Sequence, residues 1–232
     1  METVEEIIKD TDNKIISVSF NYAKSIFNNI NPSIFKNLIF TEDSVYSSSK
    51  IKGSFKLIDV IMKTTNNDMN IIITDGTANI GTDTIHLAEI FKTINAIEYS
   101  KINFTALKNN TELLCKNNNI KCYYGDTNGI IENLEQDIIY IDAPWGGRSY
   151  KKFDKIKLYL GDVEILDFYL KNKNRSKFFI FKVPYNYDFD YLRQYIVNKI
   201  TIYAFKKESI IKYFLLVIEN DIKYLNDYRI NN

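Results

Sequence analysis

Four apolar runs that each close on an acid constrain the fold of this chain more than any other feature. Residues 70–74 lead into Asp75, 94–97 into Glu98, 120–124 into Gly125-Asp126 and 138–141 into Asp142. Each run is short and β-branched or aromatic, the pattern of a strand covered on both faces. Between them, residues 82–91 and 101–117 carry apolar residues at helical spacing. Such alternation folds as a parallel sheet wound with helices on both faces. Farther on, 165–171 reads as a helix, 178–183 as a strand and 189–198 as a helix. Residues 200–205 and 213–219 read as a closing hairpin that adds one antiparallel strand. The expected fold is therefore α/β, a doubly wound and mostly parallel sheet of seven strands.

At 232 residues the chain is long enough for one such domain with a short extension. Residues 1–45 hold two apolar patches, 15–20 and 34–40, separated by Asn-rich turns. They are expected to form a largely helical N-terminal extension packed on a core domain of residues 46–232, whose first helix spans about 54–63. Net charge is +1, so no whole-surface basic field holds long nucleic acid, and any such contact is local. Cys115, Cys122 and the lone His86 cannot make a four-ligand zinc site. No metal is expected, and the thiols are those of a reduced intracellular protein. His86, inside a helix, reads as structural or surface. Without a long apolar run or a signal-like N-terminus, the chain is expected to be soluble, in cytoplasm or nucleus, without a membrane partner, and monomeric. Its compactness and its Ile-, Asn- and Lys-rich composition fit an AT-rich, viral source.

In a doubly wound sheet the four acidic strand ends lie side by side along one edge, where ligands bind. Asp75 with Gly76 and Gly81 makes a tight turn at which backbone approaches a ligand. The spacing is not Gly-x-Gly-x-x-Gly and no Lys-Ser/Thr follows, which argues against a dinucleotide fold and a phosphate-binding loop. Glu98 is placed to accept both hydroxyls of a ribose, and Asp126 to accept from an adenine amino group. A nucleoside with no phosphate to cradle fits this set, hence S-adenosylmethionine. The fourth end carries Asp142-Ala143-Pro144-Trp145-Gly146-Gly147, with the only tryptophan of the chain. An acceptor such as the Asp142 carboxylate or the Ala143 carbonyl localises the lone pair of a base amino group. Trp145 reads as a stacking face rather than a core aromatic, worth about 0.5–2 kcal/mol extra for a cationic base. Arg148, Lys151, Lys152, Lys155 and Lys157 follow, as either a solvated loop or a phosphate-binding rim.

These residues resemble the cap-specific guanine-N2 methyltransferases, the trimethylguanosine synthase family, over roughly residues 45–219. Residues 75–85, Asp-Gly-Thr-Ala-Asn-Ile-Gly-Thr-Asp-Thr-Ile, parallel that family's Asp-Ala-Phe-Cys-Gly-Val-Gly-Gly-Asn-Thr-Ile loop. Glu98 matches the acid of its second strand and Gly125-Asp126 its Gly-Asp. Ile141-Asp142-Ala143-Pro144-Trp145-Gly146-Gly147 parallels Leu-Ser-Pro-Pro-Trp-Gly-Gly, the most specific match. Residues 181–186 resemble its Phe-Leu-Pro-Arg-Asn. The resemblance implies a Rossmann-like class I methyltransferase acting from S-adenosylmethionine on N2 of a 7-methylguanosine cap, with capped RNA as partner. It implies cofactor contacts from Asp75, Gly76, Thr77, Ala78, Gly81, Thr84, Glu98 and Asp126. It places the reacting amino group at Asp142, Ala143 and Pro144, and the cationic base on Trp145. Asp142-Ala143 replaces Ser-Pro, Thr77-Ala78 replaces Phe-Cys, and Tyr185, beside Asn186, stands where the family carries an arginine toward the cap phosphates. Phosphate contacts then fall to Arg148 or to the lysines after it, Lys151 and Lys152, or are weaker.

The leading reading is thus cap guanine-N2 methylation, with dependence on the positive charge of the 7-methylated ring. An amino-methyltransferase of the adenine N6 type stands beside it, because an Asp before Ala-Pro-Trp looks partly like an Asp/Asn-Pro-Pro-aromatic motif. A non-catalytic scaffold keeping the fold is the third reading.

Overall fold

The computed structural model describes residues 13–220. Its main strands are β1 Ile72–Asp75, β2 Thr93–Glu98, β3 Ile120–Tyr124, β4 Ile138–Ile141, β5 Phe178–Pro184, β6 Lys199–Lys207 and β7 Ile210–Glu219. They form one seven-stranded sheet in the order β6-β7-β5-β4-β1-β2-β3. Pairs β1–β4, β4–β5 and β2–β3 are parallel, and β7 runs antiparallel to both β5 and β6. The doubly wound, mostly parallel sheet with a closing hairpin is as expected from the alternating pattern. Helices are α1 Phe20–Ile26, α2 Pro32–Phe35, α3 Glu42–Ser47, α4 Ile51–Thr64, α5 Thr82–Ala88, α6 Lys101–Leu114, α7 Thr127–Ile130, α8 Ile165–Asn172 and α9 Phe189–Tyr195. The described residues group into two compact units, 13–71 with 77–127, and 72–76 with 128–220.

In the first unit, α4 buries Ser54, Leu57, Ile58, Val60 and Ile61, a stripe at helical spacing, and packs on α5. Residues of α1 and of 27–40 share an apolar cluster with Ile80, Ile85 and Ala106. A short ribbon pairs Ile15–Ile16 with Phe40–Thr41. His86 is fully buried, its Nε2 2.9 Å from the Ile26 carbonyl, which makes it structural. Helices α5 and α6 stop at Ala88 and Leu114, short of the expected 91 and 117. Asn119 Nδ2 donates to the Ala88 and Phe91 carbonyls at 2.9 and 2.8 Å, and Asn117 Nδ2 to Ala88 at 3.2 Å. Asparagine side chains thus take up the carbonyls at the end of α5.

In the second unit, β4 is wholly buried and β5 is buried except for half-buried Lys182. Helix α8 lays Ile165, Leu166, Phe168 and Tyr169 against this sheet, Tyr169 meeting Phe179 edge-on at 5.2 Å. The Tyr169 hydroxyl donates to Asn220 Oδ1 at 2.8 Å, and Asn220 Nδ2 donates to the Lys173 and Ser176 carbonyls. Helix α9 ends at Tyr195, earlier than the expected 198. A ribbon of Tyr159–Leu160 with Val163–Glu164 was not anticipated.

Candidate active site

The strand order reverses between β1 and β4, adjacent parallel strands with Asp75 opposite Tyr140. In open α/β sheets this reversal is where the carboxyl ends of strands receive ligands. Asp75 is almost fully buried there, and Gly76 N–H donates to the Tyr140 carbonyl at 2.9 Å.

In the first unit, the loop from Thr77 to Gly81 is tied to β2. Ala78 N–H donates to the Ile97 carbonyl at 2.9 Å, and Asn79 N–H to Glu98 Oε2 at 2.7 Å. The other carboxylate oxygen of Glu98 accepts from Ser100 N–H at 2.8 Å, so the carboxylate is fixed in orientation. Gly81, at φ +95°, closes the loop, and a Cβ there would meet Leu107 Cδ1 at 3.1 Å. Only glycine takes this conformation in this space without strain. Gly125 N–H donates to the Glu98 carbonyl at 3.0 Å, which brings exposed Asp126 beside the end of β2. Thr84 lies fully buried in α5, while Thr77 is half-buried. The sequence reading missed Asn79 and the serines upstream. Asn79 Nδ2 donates to Ser47 Oγ at 3.1 Å, and Ser49 and Ser54 hydroxyls donate to the two oxygens of Asp83 at 2.7 and 2.6 Å.

In the second unit, β4 ends at Ile141 and the chain turns through Asp142-Ala143-Pro144-Trp145. Ala143 is buried, Pro144 exposed and Trp145 half-buried. Gly146 and Gly147 follow at φ +84° and +61° in open space, so the backbone and not crowding asks for glycine. The turn that they make carries Tyr150 back to Trp145, ring centroids 5.4 Å apart and edge-on, with Tyr185 6.0 Å beyond. Asn186 braces this group by donating to the Tyr150 and Phe153 carbonyls at 2.9 and 2.8 Å. Trp145 Nε1 and Asn186 Oδ1 are both buried without a hydrogen-bond partner. Burial, and then the neighbouring Tyr185 phenol, pushes the Tyr150 hydroxyl above the ordinary tyrosine range.

The basic run divides. Lys151 lies 5.8 Å from the Tyr150 ring centroid and Lys152 is exposed. Lys155 pairs with Asp188 and Asp190, and Lys157 sits over the Tyr191 ring, so these two are engaged elsewhere. The Arg148 side chain lies outside the described residues. Lys182, to which sequence reasoning gave no role, pairs with Asp142 at 2.6 Å. Its signal was available: a lone lysine within the apolar run Phe178–Val183.

A profile of the RNA cap guanine-N2 methyltransferases matches residues 69–225. The chain belongs to the RNA cap guanine-N2 methyltransferase family. It is also similar to an uncharacterized protein, L320, of Acanthamoeba polyphaga mimivirus, 38% identical over 141 residues that make up 57% of this chain and 55% of that protein. The chain thus spans about half the length of the curated relative that it matches. Among solved structures it resembles a Porphyromonas gingivalis W83 protein assigned as a methyltransferase, at TM-score 0.61 and 16% identity, covering 85% of this chain and 54% of the other. The Thermus thermophilus 16S rRNA N2 G1207 methyltransferase, solved with AdoMet and guanosine, gives TM-score 0.53 at 17% identity, covering 72% and 43%. Human methyltransferase 10 domain containing protein gives 0.56 at 14% identity, covering 74% and 82%. These likenesses show the shared methyltransferase fold. The segments described above, from Asp75 to Asn186, lie inside the part of the chain that matches the family.

Proposed function

We propose that this member of the family transfers a methyl group from S-adenosylmethionine to the exocyclic N2 of a guanine, that of a 7-methylguanosine RNA cap. The observation that carries the reading is Trp145, a half-buried indole at the end of β4 whose N–H is buried without an acceptor. The family match supports guanine N2 over other amino groups.

The donor set fits the cofactor. A carboxylate offers about four acceptor positions, so Glu98 can take a ribose diol beside the two main-chain donors that orient it. Asp126 serves the adenine amino group, and Gly76, Thr77, Ala78 and Gly81 supply close-lying backbone, with Asp75 and buried Thr84 supporting the loop. When bound, S-adenosylmethionine supplies a methyl activated on a sulfonium. The residues after β4 prepare the acceptor. Trp145 holds the purine face, and Asp142 with the Ala143 carbonyl accepts from the amino group, which localises a lone pair otherwise spread into the ring. Pro144 stiffens the turn between them. Lys151, Lys152 and Arg148 serve the cap phosphates, and Tyr185 and Asn186 hold the rim. Holding the acceptor in line supplies much of the rate, since orientation is worth about 7–11 kcal/mol.

The test is labelled S-adenosylmethionine with 7-methylguanosine, guanosine and adenosine cap analogues. Label is expected on guanine N2 and not on adenine. Adenine labelling would move the chain to the N6-type reading, and no label on any acceptor at high enzyme concentration would overturn methyl transfer to a capped end.

A further inference from the structure

Lys182 lies between Phe181 and Val183 in a strand that is otherwise buried. Ile141 of β4 pairs in register with Phe181 of β5, so the next residues of the two strands, Asp142 and Lys182, are neighbours. Their side chains are only 18% and 12% exposed, and Lys182 Nζ stands 2.6 Å from Asp142 Oδ2. The ammonium is also 5.5 Å from the Tyr213 ring centroid. A well-packed apolar residue in such a strand is usually as stable as a buried ion pair or more so. Packing therefore does not account for the lysine. Its position does: it answers the acid that opens the turn to Trp145.

We propose that Lys182 is a specificity-determining positioning residue, whose ammonium offsets the charge of Asp142 so that the wall beside Trp145 does not select purines by net charge. The inference rests on the guanine reading above and deepens it. With the pair intact, preference for the cationic 7-methylated ring falls to the Trp145 face alone. That contribution is about two- to thirtyfold, a graded preference in place of the strict dependence that the bare acid implies.

Trp145 is the sole tryptophan, so quenching of its emission reads base binding directly. Wild type, Lys182→Met, Asp142→Asn and the double variant are titrated with 7-methylguanosine triphosphate and guanosine triphosphate. The readout is the ratio of the two affinities, from which the shared phosphate contacts cancel. Lys182→Met is expected to raise the ratio in favour of the methylated base about fivefold or more. Asp142→Asn is expected to lower it, and the double variant to return it close to the wild-type value. A ratio that stays put in Lys182→Met, folded by circular dichroism, overturns the proposal. If that variant does not fold, Asp142→Asn decides in the same way. Quenching by neither nucleotide in wild type overturns the guanine reading and the inference with it. Quenching by both with immobile ratios overturns the inference alone.

Discussion

At Trp145 the indole is neither packed away nor left in water. It stands edge-on to Tyr150 at 5.4 Å, its N–H buried and unanswered, and an unmade buried hydrogen bond costs about 1–3 kcal/mol. A ligand that covers the ring face recovers surface that the fold leaves exposed. Base stacking on an aromatic side chain is worth about 1–3 kcal/mol, so Trp145→Ala should weaken guanine nucleotide binding about five- to hundredfold by calorimetry. Binding of S-adenosylhomocysteine should stay within about twofold of wild type. Glu98→Ala should invert the pattern: its carboxylate pins Asn79 and Ser100 at 2.7 and 2.8 Å, and its loss removes both the diol acceptor and the loop's brace. Cofactor binding should fall about tenfold or more while nucleotide quenching persists; equal losses of both ligands would argue for general unfolding. Residues of this kind were legible because composition isolates them, a single Trp between Pro and Gly, an acid at a strand end. Lys182 stood out as a lone lysine in an apolar run, but its pairing with Asp142 was not legible, because the two are 40 residues apart and only the β4–β5 register joins them.

At the scale of elements, the strands of the main sheet were legible to within a few residues at their ends. Their apolar runs are short and bounded by acids or glycine, and burial on both faces admits few alternatives. Helix ends were not. Asn117 and Asn119 reach back to carbonyls near 88–91 from beyond α6, and no local pattern reports a side chain that satisfies another element's backbone. Helix α8 makes a similar long-range tie, through the Tyr169 hydroxyl to Asn220 after β7. Burial pushes that phenol up to about 12. An acid whose folded pKa is raised keeps its proton in the native chain at a pH where the unfolded chain releases it. The stability carried by the protonated, buried phenol is therefore fully present below pH ~10, the ordinary tyrosine value, and is lost as pH climbs toward about 12. Thermal unfolding followed by circular dichroism should show Tyr169→Phe less stable than wild type at pH 8, with the gap closing in that alkaline window. A constant gap would mean that the hydroxyl's worth lies in packing, not in its proton.

For the molecule as a whole, charge sets how RNA is met. The net charge of +1 leaves no long-range field, and two of the lysines nearest the Trp145 turn are occupied, Lys155 by Asp188 and Asp190 and Lys157 by Tyr191. On the function proposed above, Lys151, Lys152 and Arg148 are the cations assigned to the cap, one for each of about three phosphates. Affinity for single-stranded nucleic acid falls with salt at a log–log slope of about −0.7 per phosphate neutralised. A chain that grips only a capped end should therefore show a slope near −2 for both a cap dinucleotide and a capped oligonucleotide, since lengthening the RNA adds no contacts. A protein that tracks the backbone would steepen with length instead. Fluorescence anisotropy of labelled capped RNAs of increasing length, read between low and physiological salt, separates the two. A slope that grows with length would place an RNA-binding surface outside the cationic set named here, and Lys151→Ala with Lys152→Ala would then leave most of the salt dependence in place.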